Sequence, residues 1–180
     1  SSDVCSSDLQ YIVAGTSVDD DEEEEDDEEE EDDEEAEKSY GKVIVRNRTS
    51  GEVVFDWEHA GSVNSIAMDD QYIVAGTGGD DKKVIVRNRT SGEVVFDWEH
   101  AGSVMSIAMD DQYIVAGTGG DDNKVIVRNR TSGEVVFDWE HAGWVNSIAM
   151  DDQYIVAGGR DYKVIVRNRT SGEEIGRAHV

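Results

Sequence analysis

The sequence predicts an all-β fold assembled from a repeated unit of four short antiparallel strands. Three observations lead there. First, the segment Gln-Tyr-Ile-Val-Ala-Gly begins at Gln10, Gln71, Gln112 and Gln153, and Lys-Val-Ile-Val-Arg-Asn-Arg-Thr-Ser-Gly-Glu begins at Lys42, Lys83, Lys124 and Lys163. The regular unit is 41 residues; the first copy carries 20 more and the last is two shorter. Second, Val, Ile, Tyr, Phe and Trp gather in short runs, as strands prefer. Third, the runs are separated by Gly and Asp pairs, residues that tolerate tight or left-handed backbone. A pair of helices per unit fits worse, because Gly recurs too often and the Val-Ile-Val runs lack a 3.6-residue period.

Within one unit the first strand is Ser62 to Met68, ended by Asp69-Asp70. The second is Gln71 to Thr77, followed by Gly78-Gly79-Asp80-Asp81. The third is Lys83 to Arg89, turned by Thr90-Ser91-Gly92, and the fourth is Gly92 to Glu99, ended by His100-Ala101-Gly102. The unbroken apolar stretches Tyr72 to Ala75 and Val84 to Val86 call for strands covered on both faces, as in sheets stacked radially on one another.

Charge divides the chain. Lys and Arg total 16 against 42 Asp and Glu, a net charge of −26. Eighteen of the acids lie between Asp19 and Glu37, leaving 24 acids against 16 bases in a remainder apolar enough to build a core. Such a charge argues against nucleic-acid and anionic-membrane partners, which need a basic footprint. Segment 18–39 is expected to be a disordered acidic insert between the second and third strands of the first unit. Its seventeen consecutive acids, Asp19 to Glu35, repel one another and offer nothing apolar to bury. They lack the spaced ligands and the turn glycine of a tight calcium loop.

Asp3 to Leu9 and Glu174 to Val180 can be encoded by one DNA sequence and its reverse complement, as translated sequencing adapter would be. Residues 1–9 and 174–180 are therefore read as artefact, expected to lack structure of their own. The repeats then span 10–173. Cys5, the single cysteine, falls in the excluded part and allows no internal disulfide or cysteine zinc site. The triplets beginning at Asn47, Asn88, Asn129 and Asn168 match glycosylation sequons but sit at strand ends and read as structural. With no secretory signal in view, an intracellular compartment, cytoplasmic or nuclear, is expected.

The unit length and strand count, with Thr90-Ser91-Gly92-Glu93 before the outer strand and His100-Ala101-Gly102-Ser103-Val104 leading into the next unit, resemble the WD-repeat β-propellers. The resemblance implies a hydrogen-bonded set of His, Ser or Thr, Asp and Trp in each blade. The His positions are His59, His100 and His141, and the Asp positions are Asp81, Asp122 and Asp161. The Trp position holds Arg46, Arg87, Arg128 and Arg167 instead, and the Ser/Thr position holds Ala75, Ala116 and Ala157. An Arg in that position can still pair with the Asp, although a buried pair of that kind is weak evidence for stability. Fourteen strands, about three and a half blades, make a partial β-propeller. Its uncovered end faces are expected to drive self-association.

No catalytic constellation emerges. The His, Asp and Ser residues recur identically in each unit, whereas a nucleophile, base and orienter must converge once. The expectation is a non-enzymatic protein with no cofactor and no metal. The copies differ where a partner could read them: Asn64 against Met105 and Asn146, Lys82 against Asn123 and Tyr162, and Ser62 or Ser103 against Trp144. The resemblance places these positions on one rim. An exposed Trp is a favoured binding anchor. The reading is a scaffold binding a protein or peptide on that rim; the alternative is an acidic carrier binding basic proteins through the insert.

Overall fold

The computed structural model describes residues 11–18 and 40–179, which form fifteen strands and no helix. The first sheet holds β1 (Tyr11–Val18), β2 (Tyr40–Asn47) and β3 (Val53–His59). The second holds β4 (Val63–Met68), β5 (Tyr72–Thr77), β6 (Lys83–Asn88) and β7 (Val94–Glu99). The third holds β8 (Ser103–Met109), β9 (Tyr113–Gly119), β10 (Lys124–Asn129) and β11 (Val135–Glu140). The fourth holds β12 (Val145–Met150), β13 (Tyr154–Gly159), β14 (Lys163–Asn168) and β15 (Glu174–His179). Each sheet is an antiparallel meander, and the four make a partial β-propeller.

Two expectations are corrected. Residues 174–179 do not lack structure: β15 pairs with β14 in the register of the other outer strands, Ile165 opposite Arg177 as Ile85 is opposite Asp97. The strand count is therefore fifteen rather than fourteen. The physical reason is backbone rather than side chain. The Thr170-Ser171-Gly172 turn sends the chain back along β14, whose open edge presents unpaired N–H and C=O groups. Gly176 and Ala178 occupy the places of Phe96 and Trp98. Val18 is the second correction: it ends β1, opposite Tyr40, so the insert begins after it. The rest of the insert, with its expected disorder, lies outside the described residues, as do residues 1–9.

The core lies between sheets rather than within one. Ile73 and Ala75 pack back onto Val43 and Val45 of the first blade. Val74, Val84 and Val86 pack forward onto Val104, Ile107, Ile114 and Ala116 of the third. Val115, Val125 and Val127 pack onto Val145, Ile155, Ala157 and Ile165 of the fourth. Alternate residues of one strand therefore serve opposite joints, which is why the apolar runs are unbroken. Gly76 permits the close approach: a Cβ there would meet Val104 Cγ1 at 2.6 Å. The equivalent Gly158 of the fourth blade faces open space among the described residues. The first and fourth blades do not pack together among the described residues, so the arc is open.

The turn between third and fourth strands is organised by its Asn. Asn88 Oδ1 accepts the N–H groups of Thr90 and Ser91 at 2.8 and 3.0 Å, and Asn47, Asn129 and Asn168 repeat this. The sequon asparagines are thus engaged in their own turns.

Candidate functional site

The rim that carries the variable positions is built from two turns that touch. Gly78 N–H donates to the Ser62 carbonyl at 2.8 Å, and a Cβ on Gly61 would collide with Gly78 O at 1.9 Å. The start of the first strand and the turn between second and third strands therefore share one rim.

His59, His100 and His141 line the base of that rim, their Nδ1 atoms 3.7, 4.0 and 3.7 Å from Asp81, Asp122 and Asp161. Burial pushes all three imidazole pKa values down, outweighing the attraction of the carboxylates. They are neutral at pH 7, so these are polar contacts rather than ion pairs. Their Nε2 atoms have no protein partner. Two further polar groups unmarked in the sequence reading complete the turns. Thr77 Oγ1 accepts the Lys83 N–H at 2.9 Å, and Thr118 does the same for Lys124. In the shortened fourth-blade turn, Asp161 accepts the N–H groups of Lys163 and Ala142, each at 3.3 Å.

Among the described residues, the Arg in the Trp position does not pair with the Asp of its own blade. Arg87, Arg128 and Arg167 lie over Trp57, Trp98 and Trp139 of the preceding blade, at 4.5, 4.7 and 5.0 Å from the ring centroids. Each also donates through Nη1 to its own turn carbonyl, Gly92, Gly133 or Gly172. The guanidinium gains a ring face and a carbonyl without bringing a carboxylate out of water, whereas a buried ion pair must overcome that desolvation.

A second arginine row was not anticipated. Arg89, Arg130 and Arg169 are 8%, 4% and 8% exposed and lie over Tyr11, Tyr72 and Tyr113 of the preceding blade. Arg130 also pairs with Asp69 at 2.6 Å and reaches Gln71, and Arg169 pairs with Asp110 and Asp111. This row binds the opposite rim. There Met68, Asp69, Asp70, Gln71, Met109, Asp110, Asp111 and Arg130 line a shallow cavity of about 440 Å³. Among the described residues no His, Cys, Asp and Glu cluster has the arrangement of a metal site.

The variable positions divide into two groups. Asn64 donates to the Val104 carbonyl at 3.0 Å and touches Met105 Sδ at 3.9 Å, so those two meet across a joint. Asn146 is exposed on the last blade. Trp144 is half-buried rather than freely exposed: Gly119 lies against one side, and the Arg160 guanidinium stands 4.2 Å from the ring centroid. Ser-to-Trp and the shortened turn are therefore one packing unit, since Arg160 belongs to that turn and bonds the Trp144 carbonyl at 2.8 Å. Lys82, Asn123 and Tyr162 all adopt positive φ, at 47°, 46° and 59°. Asn tolerates that backbone best of the three. Lys82 and Asn123 bond the histidine turns, their carbonyls accepting the N–H groups of His100 and His141 at 2.9 and 2.8 Å. Tyr162 is 75% exposed.

No family model and no curated protein matches the chain. Among solved structures it is similar to two computationally designed proteins. The crystal structure of the designed Ika8 protein matches with TM-score 0.70 and 18% identity, over 78% of this chain and 45% of that one. The designed Ika4 protein matches with TM-score 0.65 and 22% identity, over 71% of this chain and 79% of that one. This chain thus spans less than half of the Ika8 chain. At such identities the likeness is one of fold alone.

Proposed function

We propose that the chain is a WD-repeat-like arc acting as a non-enzymatic scaffold, which holds a protein or peptide on the rim where its copies differ. The observation that carries this is Trp144. Its indole is fixed between Gly119 and Arg160 yet remains partly open to solvent, with exposed Tyr162 in the same hydrogen-bonded turn. A pre-positioned Trp buries a large apolar area at little further cost in rotamer freedom. The other variable positions, Met105, Asn64, Asn146, Lys82 and Asn123, would extend the contact along the rim with a polarizable side chain, amides and a cation.

The test is to identify proteins captured by the chain and measure affinity for Trp144→Ser. That change restores the residue found at Ser62 and Ser103, so the blade keeps its fold. Affinity should fall about thirtyfold or more, the scale of a lost anchor of about 2 kcal/mol, with melting temperature retained. Deleting 19–39 should leave affinity unchanged. The opposite pair of results, with binding that collapses in salt, would establish the acidic insert as a carrier for basic proteins.

A further inference from the structure

We propose that a second copy of this chain docks head to tail on the fourth blade, with its Arg48 lying over Tyr154 and pairing with Asp151. The internal joints show what such a contact consists of. The second and third joints each bring one buried arginine of the second row onto a Tyr and the Asp turn of the preceding blade, as Arg130 meets Tyr72, Asp69 and Gln71, and at the first joint Arg89 lies over Tyr11. Among the described residues, both halves of this contact stand unused, one on the first blade and one on the fourth. Arg48 holds the position of Arg89, Arg130 and Arg169, yet it is exposed where they are buried. At the other end, Asp151 repeats Asp69 and Asp110. Its carboxylate accepts the N–H groups of Gln153 and Tyr154 at 2.8 and 2.7 Å, as Asp69 does for Gln71 and Tyr72. Asp69 and Asp110 add an arginine and are half-buried; Asp151 has none among the described residues and is exposed. The two end faces therefore carry opposite charges at matching positions, on surfaces whose internal counterparts already bind one another. Such a contact joins different faces and is heterologous, building a ring if the rotation closes and an open chain if it does not.

The same comparison sets the strength. Gly176 and Ala178 replace the Phe and Trp of the outer strand, so Arg46 of the incoming copy finds no ring. The described part of the first blade has no inner strand, so Gly158 and Ser147 keep their open positions. The Arg48 contact carries the joint, and the joint is weaker than an internal one. The net charge of −26 opposes association, but at physiological salt charges beyond about 8 Å are screened.

Sedimentation of the full chain at physiological salt, over a wide concentration range, tests this. The wild type should associate as concentration rises. Arg48→Glu and Asp151→Arg should each weaken association about thirtyfold or more, the scale of removing one partner of a desolvated charge pair. Arg48 is exposed, so Arg48→Glu should match wild type in circular dichroism and melting; Asp151→Arg should keep the spectrum but melt lower, having lost the two turn bonds to Gln153 and Tyr154. Mixed together, the two variants should associate where neither does alone, because each retains one wild-type face and the reversed charges at positions 48 and 151 are again opposite. A wild type that stays monomeric throughout would overturn the proposal. So would association unchanged by Arg48→Glu, or two folded variants that fail to pair on mixing.

Discussion

The two rims of the arc are made from the same repeat, yet only one of them varies. On the rim of the Asp69-Asp70, Asp110-Asp111 and Asp151-Asp152 turns, every copy reads alike. There the second arginine row crosses the second and third joints through several contacts at once: Arg130 touches Asp69, Gln71 and the Tyr72 ring of the preceding blade, and Arg169 touches Asp110, Asp111 and the Tyr113 ring. On the opposite rim, Trp144 replaces a Ser, Met105 replaces an Asn, and the positive-φ position holds Lys, Asn or Tyr. The contrast follows bonding. The side chains held by several partners across a joint are alike in every copy, and the positions that differ all lie on the other rim. Asn64 marks the boundary: it accepts from Ser62 Oγ and donates to the Val104 carbonyl, and a Met side chain, as at Met105, has no amide to make those two bonds.

The contrast breaks if a well-bonded arginine proves dispensable. Arg130→Met should destabilise the chain by about 2–3 kcal/mol, below the full cost of breaking a buried pair because Asp69 keeps some solvent contact. Urea unfolding checks this, with the midpoint read joint by joint, since repeat arrays need not melt as one unit.

Acid pH sharpens the comparison from the variable side, where the histidines sit. Their folded pKa values lie below the unfolded value of about 6.5. Below that pH the unfolded chain binds more protons than the folded one. Their contribution is whole above pH 6.5 and is lost as pH falls toward and through the depressed folded values. Melting temperature should therefore drop between pH 7 and pH 5, and His100→Gln should make that drop shallower. A drop of equal size in the variant would assign the acid sensitivity elsewhere.

The smallest expected effect is a gain. Met105→Asn should restore to the third joint the bond that Asn64 makes to Val104, stabilising the chain by about 0.5–1 kcal/mol. Denaturant titration against wild type measures it. No gain would mean that the sulfur contact and the amide bond are equivalent there.

The blades were legible because a strand buried on both faces must be apolar at every position, and Val84-Ile85-Val86 is. The rim was legible in part. The position of Asn64, Met105 and Asn146 followed from comparing copies, but the packing of Trp144 under Arg160 did not, since it depends on how a shortened turn folds back. The second arginine row was invisible for a geometric reason. Arg130 finds Gln71, and Arg169 finds Asp110, 59 residues earlier in the chain, so no local spacing marks them as partners. The outer strand β15 was missed because its formation rests on backbone pairing along β14, which composition does not record.

Asn64 reaches Val104, and Ser65 Oγ accepts the Ile107 N–H, across separations of 40 and 42 residues, close to one unit. A gene encoding such joints is tolerant of slippage. Excising or duplicating one 41-residue unit between like positions rejoins the same side chains to the same partners, and every new junction is an old one. Copy number can then drift without a folding penalty at the seam, and selection is left to act on where the arc stops.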